Sequence, residues 1–254
     1  MSAPSRRCVL AAGALTALGR GAASAQESGR TYRLGVLSGG LTREAPSWVA
    51  FFDELGKAGF VEGRNLIVDW RFVGSSPEQS AASAMELVPA SRQMAALADL
   101  IVKERAQLET LQSATAMRGV ALSIYPVRGP EEIAAAIDAA QTAGATALNV
   151  LASPVLNANR KIILERSAAL RLPAIYQWPE TADEGGLAAY GPRLAKLNRQ
   201  LARQVVKVLR GAKPVDIPVE QPDKFELVID LRTAKAIGLE VPTTLLDRAD
   251  QVIE

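Results

Sequence analysis

Residues Gly185–Leu231 read GGLAAYGPRLAKLNRQLARQVVKVLRGAKPVDIPVEQPDKFELVIDL. Leu187-Ala188-Ala189-Tyr190 is a short apolar strand, and Gly191-Pro192 stops it. Apolar residues then recur at Leu194, Leu197, Leu201, Val205 and Leu209, the spacing of one helix face. Pro192 suits the first turn of that helix, where a missing N–H costs nothing. Gly211 is placed as its C-terminal cap, with Pro214 soon after. Pro214, Pro218 and Pro222 punctuate the next segment, which is extended and stiff enough to cross between two bodies. Phe225–Leu231 reads as a strand by its apolar enrichment. A strand, a helix, a stiff crossing and a returning strand are what a two-lobed α/β protein needs where its chain leaves one lobe and comes back.

The chain before this stretch alternates strand and helix signals. Tyr32–Leu37 is a strand, and Ser38-Gly39-Gly40 is a small-residue loop at its end. Residues 46–58 form a helix, with Val49, Phe52, Leu55 and Gly56 towards its buried side and Gly59 closing it. Leu66–Phe72 is the next strand, so the unit is a right-handed βαβ crossover with parallel strands. Further strands are predicted over Met94–Leu100, Val120–Val127, Ala147–Leu151 and Leu172–Tyr176. Helices are predicted over 101–118, 130–143 and 155–170. Alternation with short loops gives parallel sheets covered by helices on both faces.

The ordered run YGPRL, helix, RGAKPVDIPVEQPDKFELVIDLRTAKAIGLEVP and LLDRADQVIE resembles the C-terminal part of ABC-transporter substrate-binding proteins of the tryptophan/tyrosine-type group. The N-terminal turn Gly59-Phe60-Val61-Glu62-Gly63-Arg64-Asn65 and the pair Trp70-Arg71 resemble the opening of the same family. The resemblance covers Thr31–Arg71 and about Glu86–Glu254. Between them the family carries further βα units, and about 30 residues per unit do not fit between Ser75 and Met85. The resemblance therefore implies a periplasmic-binding-protein-like α/β fold of two lobes with a truncated N-terminal lobe. Residues 26–84 would form that lobe, completed by about 192–254, and 85–191 would form the other. It also implies capture of a small solute, an aromatic or related amino acid among the candidates, for an ABC-transporter membrane permease, with no chemistry on the solute. A truncated relative that no longer binds solute and serves as a scaffold is the alternative, and a periplasmic enzyme on a similar fold is the third.

Composition supports this class. Of 254 residues 48 % are apolar and 5 % aromatic, which favours alanine-rich α/β packing over a β-sandwich. Arg6-Arg7, the apolar run Cys8–Leu18 and Ala23-Ser24-Ala25 form an export leader with a cleavage site, so residues 1–25 are expected to be removed. Ser5-Arg6-Arg7 fits a twin-arginine route, and a general secretory route is equally open. Either route places the mature chain in the periplasm. The leader holds three arginines and no acid, so the mature chain carries 26 basic and 27 acidic residues and offers no basic surface for nucleic acid. The chain has no histidine, and its single cysteine, Cys8, lies in the leader. A Ser-His-Asp triad, a histidine metal site and a thiol nucleophile are thereby excluded from the mature chain. No cofactor or metal is expected.

Open α/β sheets hold ligands outside the carboxyl ends of their strands. That rule selects Ser38 and Gly39 after the first strand, Ser153 and Asn157 after the strand at Ala147–Leu151, Trp178 after Leu172–Tyr176, and Tyr190 at the crossing. Ser38 and Ser153 are placed to donate to a ligand carboxylate or to cap the helices that follow. Trp178 offers a face for stacking or packs on a neighbouring helix, and Tyr190 is a ligand contact or a buried tyrosine. Glu180 and Asp183 read as solvated loop acids, with pairing to a ligand amino group as the other possibility.

Overall fold

The computed structural model describes residues 8–11, 30–38, 41–72, 108–117 and 119–254. Gly39, the strand expected over Met94–Leu100 and the short connection between Ser75 and Met85 lie outside the described residues.

The first sheet has the order β1-β2-β3 and is parallel throughout, with β1 Cys8–Ala11, β2 Tyr32–Ser38 and β3 Leu66–Phe72. β2 and β3 pair in register from Tyr32↔Leu66 to Ser38↔Phe72. Residues 8–11 thus run beside β2. Helix α1 (Pro46–Lys57) makes the crossover from β2 to β3 and starts on its proline. It ends at Gly59, whose φ of +92° is open to glycine at no steric cost.

The buried side of α1 differs from expectation. Trp48, Phe51 and Leu55 are buried, whereas Val49 is 45 % exposed. The helix is turned so that its largest rings meet the sheet: Trp48 packs edge-on against Trp70 at 4.9 Å and against Phe51 at 5.3 Å. Large aromatics remove the most apolar area from water and so set the rotation of the helix. The core they join includes Leu34, Val36, Phe60 and Leu66.

The second sheet has the order β4-β5-β6-β7-β8. Its strands are β4 Leu148–Val150, β5 Ala174–Tyr176, β6 Ala188–Gly191, β7 Glu226–Asp230 and β8 Gln251–Ile253. β4, β5 and β6 are parallel, β7 is antiparallel to β6, and β8 is parallel to β7. Residues 108–116 are helical (α2), followed by α3 Pro130–Thr142, α4 Pro154–Ala158, α5 Arg160–Ala169 and α6 Pro179–Asp183. Ile133 and Ile137 of α3, Ile163 of α5, Ala182 of α6 and the inner faces of β5, β6 and β7 form the second core.

Helix α7 (Leu194–Leu209) carries the chain back to the first core, where Ala202, Val205, Val206, Val208 and Leu209 are buried. It begins two residues later than its proline suggested: Arg193 is the N-cap residue and Pro192 precedes it. Gly211, at φ +103°, follows its end. A 3₁₀ turn at Pro214–Asp216 opens the connector, and after β7 come α8 (Leu231–Ile237) and α9 (Thr243–Leu246).

The stretch of about 192–254, expected to complete the first lobe, contributes to both cores. β7 and β8 are strands of the second sheet, and from this stretch α7 and Ile217 pack into the first core. Two further expectations change. Residues 120–127 form no strand; Pro126 has no N–H to give a ladder, and Val120 and Ile124 are 56 % and 45 % exposed. The helix expected over 155–170 is two helices, because Asn159 leaves helical geometry (φ −107°, ψ 21°) and its side-chain amide donates to the Val155 carbonyl at 2.9 Å.

Candidate functional site

The carboxyl ends of β4, β5 and β6 lie side by side, and the chain leaves each of them through a residue selected from sequence. After β4, Ser153 is the N-cap residue of α4 in extended backbone (φ −146°), yet its hydroxyl makes no capping bond. The carbonyl of Ser153 accepts from the Asn157 N–H at 2.9 Å, so the two residues stand one turn apart on α4. The Asn157 carbonyl accepts from Arg160 at 3.0 Å, and Arg160 in turn holds Glu184 with contacts of 2.6 and 2.7 Å. After β5, Trp178 is the N-cap residue of α6 and is half-buried. On β6, Tyr190 is 57 % exposed, and its ring lies 5.9 Å from that of Phe225. The exposure excludes the buried-tyrosine reading.

Ser38 ends β2 in the other sheet. It is 2 % exposed, and its hydroxyl donates to the Leu41 carbonyl at 2.5 Å. That bond closes the loop on itself and leaves the hydroxyl oxygen as an acceptor only. Ser153, Asn157, Trp178 and Tyr190 are thus brought onto one end of the second sheet, Ser38 stands on the first sheet, and Gly39 is outside the described residues.

The crossing beside these loops is held by charge. Gly191 and Glu226 are opposite each other in the β6–β7 ladder, so the outgoing and returning segments share one rung. Gly191 lies so close to the loop after β5 that a Cβ there would be 2.0 Å from the Gln177 carbonyl oxygen. Two residues on, Arg193 donates to Glu226 at 2.9 Å, to Gln251 at 2.6 Å and to Asp183. Lys196 reaches Glu226 at 2.5 Å, and Lys224 reaches Asp250 at 3.0 Å and Glu226 at 3.7 Å. Hydrogen bonds from Lys196 and Arg193 hold the Glu226 carboxyl at a pKa of about 2, against the opposing effect of its burial.

Glu180 behaves in the opposite way. Burial pushes its carboxyl above the usual carboxylate range. One of its oxygens accepts from the Ala195 N–H at 3.4 Å, in the first turn of α7. The other, like the side-chain oxygen of Gln177, is buried without a partner. The reading of Glu180 and Asp183 as solvated loop acids is therefore corrected: Asp183 is bound to Arg193, and Glu180 sits under the N-terminus of α7.

Sequence reasoning missed Arg193 and Glu226. The one signal available was their position, each beside a glycine- or proline-marked chain crossing. Among the described residues no cluster of three or more His, Cys, Asp or Glu is placed to hold a metal ion, and no helix is long and apolar enough to cross a membrane. What the strand-end loops offer is hydroxyl, amide and aromatic surface, which is the chemistry of binding.

The sequence profile of the ABC transporter substrate binding protein family matches residues 74–253. The chain belongs to this family. β2, α1 and β3 precede the matched residues. Two solved structures share the fold. One is described as the ABC domain in complex with L-Trp from Streptococcus pneumonia; it has a TM-score of 0.73 and 17 % identity, over 88 % of this chain and 100 % of that one. The other is a conserved domain protein from Vibrio cholerae O1 biovar El Tor, with a TM-score of 0.73 and 16 % identity over the same shares. No curated protein matches the sequence.

Proposed function

We propose that this protein is the exported solute-binding component of an ABC importer, working in the periplasm after removal of residues 1–25. It captures a small solute, an aromatic or related amino acid, and delivers it to a membrane permease. Ser153, Asn157, Trp178 and Tyr190 hold the solute from the second lobe, with Trp178 as the stacking face, and Ser38 belongs to the first. The observation that carries this reading is the convergence of those four residues on the carboxyl ends of three neighbouring strands, where open α/β sheets bind ligands. Membership of a substrate-binding family and the L-Trp held by the similar streptococcal protein support it.

The test is a thermal-shift screen against the amino acids and small carboxylates, followed by titration calorimetry. A solute at 100 times its Kd stabilises the folded state by about 2.7 kcal/mol. A raised midpoint with an aromatic amino acid, lost in Trp178→Ala, supports the proposal. A cooperative melt that no solute shifts favours the second reading, a shortened relative that serves as a scaffold. The closed Ser38–Leu41 hydrogen bond is the observation on that side.

A further inference from the structure

A groove of about 290 Å³ runs between α7 and the proline connector, on residues that include none of those assigned to the solute site. One wall is the helix stripe Lys196, Arg199, Gln200 and Arg203; the other is 220–224, stiffened by Pro222. Spacing of three and four residues puts the four helix side chains on one face, away from the buried face at Ala202, Val205 and Leu209. The walls are joined at one end, where Gln200 donates to Glu220 at 3.0 Å and Lys207 pairs with Glu220 at 3.2 Å.

Six charged side chains line the groove, and four are engaged. Lys196 is bound to Glu226, Arg203 to Glu54, Lys224 to Asp250 and Glu220 to Lys207. The two without a partner among the described residues are Arg199 on the helix wall and Asp223 on the connector wall. Both are exposed, and no ion pair joins them across the space. A cation on one wall and a carboxylate on the other, separated by a cavity at the small end of solute pockets, are complementary to one molecule carrying both charges. We propose that this groove is a second site, for a small zwitterion such as a free amino acid, with its carboxylate on Arg199 and its ammonium on Asp223. Such a ligand would tie the connector to α7 at the lobe crossing. It does not depend on the strand-end site.

The test follows the Gln200 side-chain amide of the full chain by NMR during titration with L-alanine, with acetate and methylammonium as single-charge probes. L-Alanine should give a saturable shift that neither single-charge probe matches. Arg199→Ala and Asp223→Asn should each weaken it about tenfold or more, the loss of one charge-assisted contact. The exchange variant carrying Arg199→Asp and Asp223→Arg should restore it, and Trp178→Ala should leave it unchanged. The proposal is overturned if L-alanine gives no saturable shift, if acetate saturates as tightly, or if both single variants bind as the wild type does.

Discussion

Replacing Glu226 by Gln removes the carboxylate on which Lys196, Arg193 and Lys224 converge at the lobe crossing. Glu226 is 8 % exposed, so water does little to compensate the loss. Its folded pKa of about 2 stands below the ordinary 4.5. A carboxyl with a depressed folded pKa adds stability that is fully present above the unfolded value and is lost as pH falls through the folded one. The shift corresponds to about 3 kcal/mol at pH 7, falling to about 1.4 kcal/mol at pH 3. Urea unfolding of wild type and Glu226→Gln at pH 7, 5, 4 and 3, followed by far-ultraviolet circular dichroism, reads both quantities. The wild type should be the more stable by about 3 kcal/mol at pH 7 and 5, which is roughly 6–12 °C in midpoint for a chain of this size. The gap should narrow below pH 4.5. A gap that stays constant from pH 7 to pH 3 would refute the reasoning, since the loss would then come from packing and not from charge.

Three other expectations use the same assay. Glu180→Gln should stabilise the protein at pH 7, because burial raises the Glu180 pKa and its ionised form opposes folding; the gain should vanish below pH 4.5. Gly191→Ala places a methyl 2.0 Å from the Gln177 carbonyl oxygen and should cost about 3 kcal/mol through forced backbone movement, seen as a lowered urea midpoint. Phe51→Ala empties a fully buried site between Trp48 and Phe52 and should cost about 3–5 kcal/mol, whereas Val49→Ala on the exposed side of α1 should cost under about 0.5 kcal/mol.

Sequence and structure agree where a single local rule governs the outcome. The α1 and α3 helices begin on their prolines, and Gly59 and Gly211 stand after helix ends with positive φ. The strand β7 lies within Phe225–Leu231 because its apolar run has no competing signal. Disagreement follows where two local signals compete or where the partner is distant in sequence. Val120–Val127 has the composition of a strand, but Pro126 removes a ladder donor. In α1, period alone allowed either Val49 or Trp48 to face the core, and contact with Trp70 on β3 selected Trp48. The membership of β7 in the second sheet depends on pairing with β6 across the whole α7 excursion, and no local pattern encodes that. The strand-end positions of Ser153, Trp178 and Tyr190 were legible from the α/β rule. The charges that fix the crossing were not, because Arg193 meets partners 10, 33 and 58 residues away.

Titration calorimetry of the protein with L-tryptophan and related aromatic amino acids, alongside Trp178→Ala, is the most direct measurement of what this protein does. One-site binding that Trp178→Ala weakens by about tenfold or more, in line with the loss of a stacking face, is the outcome expected of a solute-binding protein that uses the loops after β4, β5 and β6. Absence of binding by a cooperatively folded chain, or binding that Trp178→Ala leaves unchanged, would contradict it.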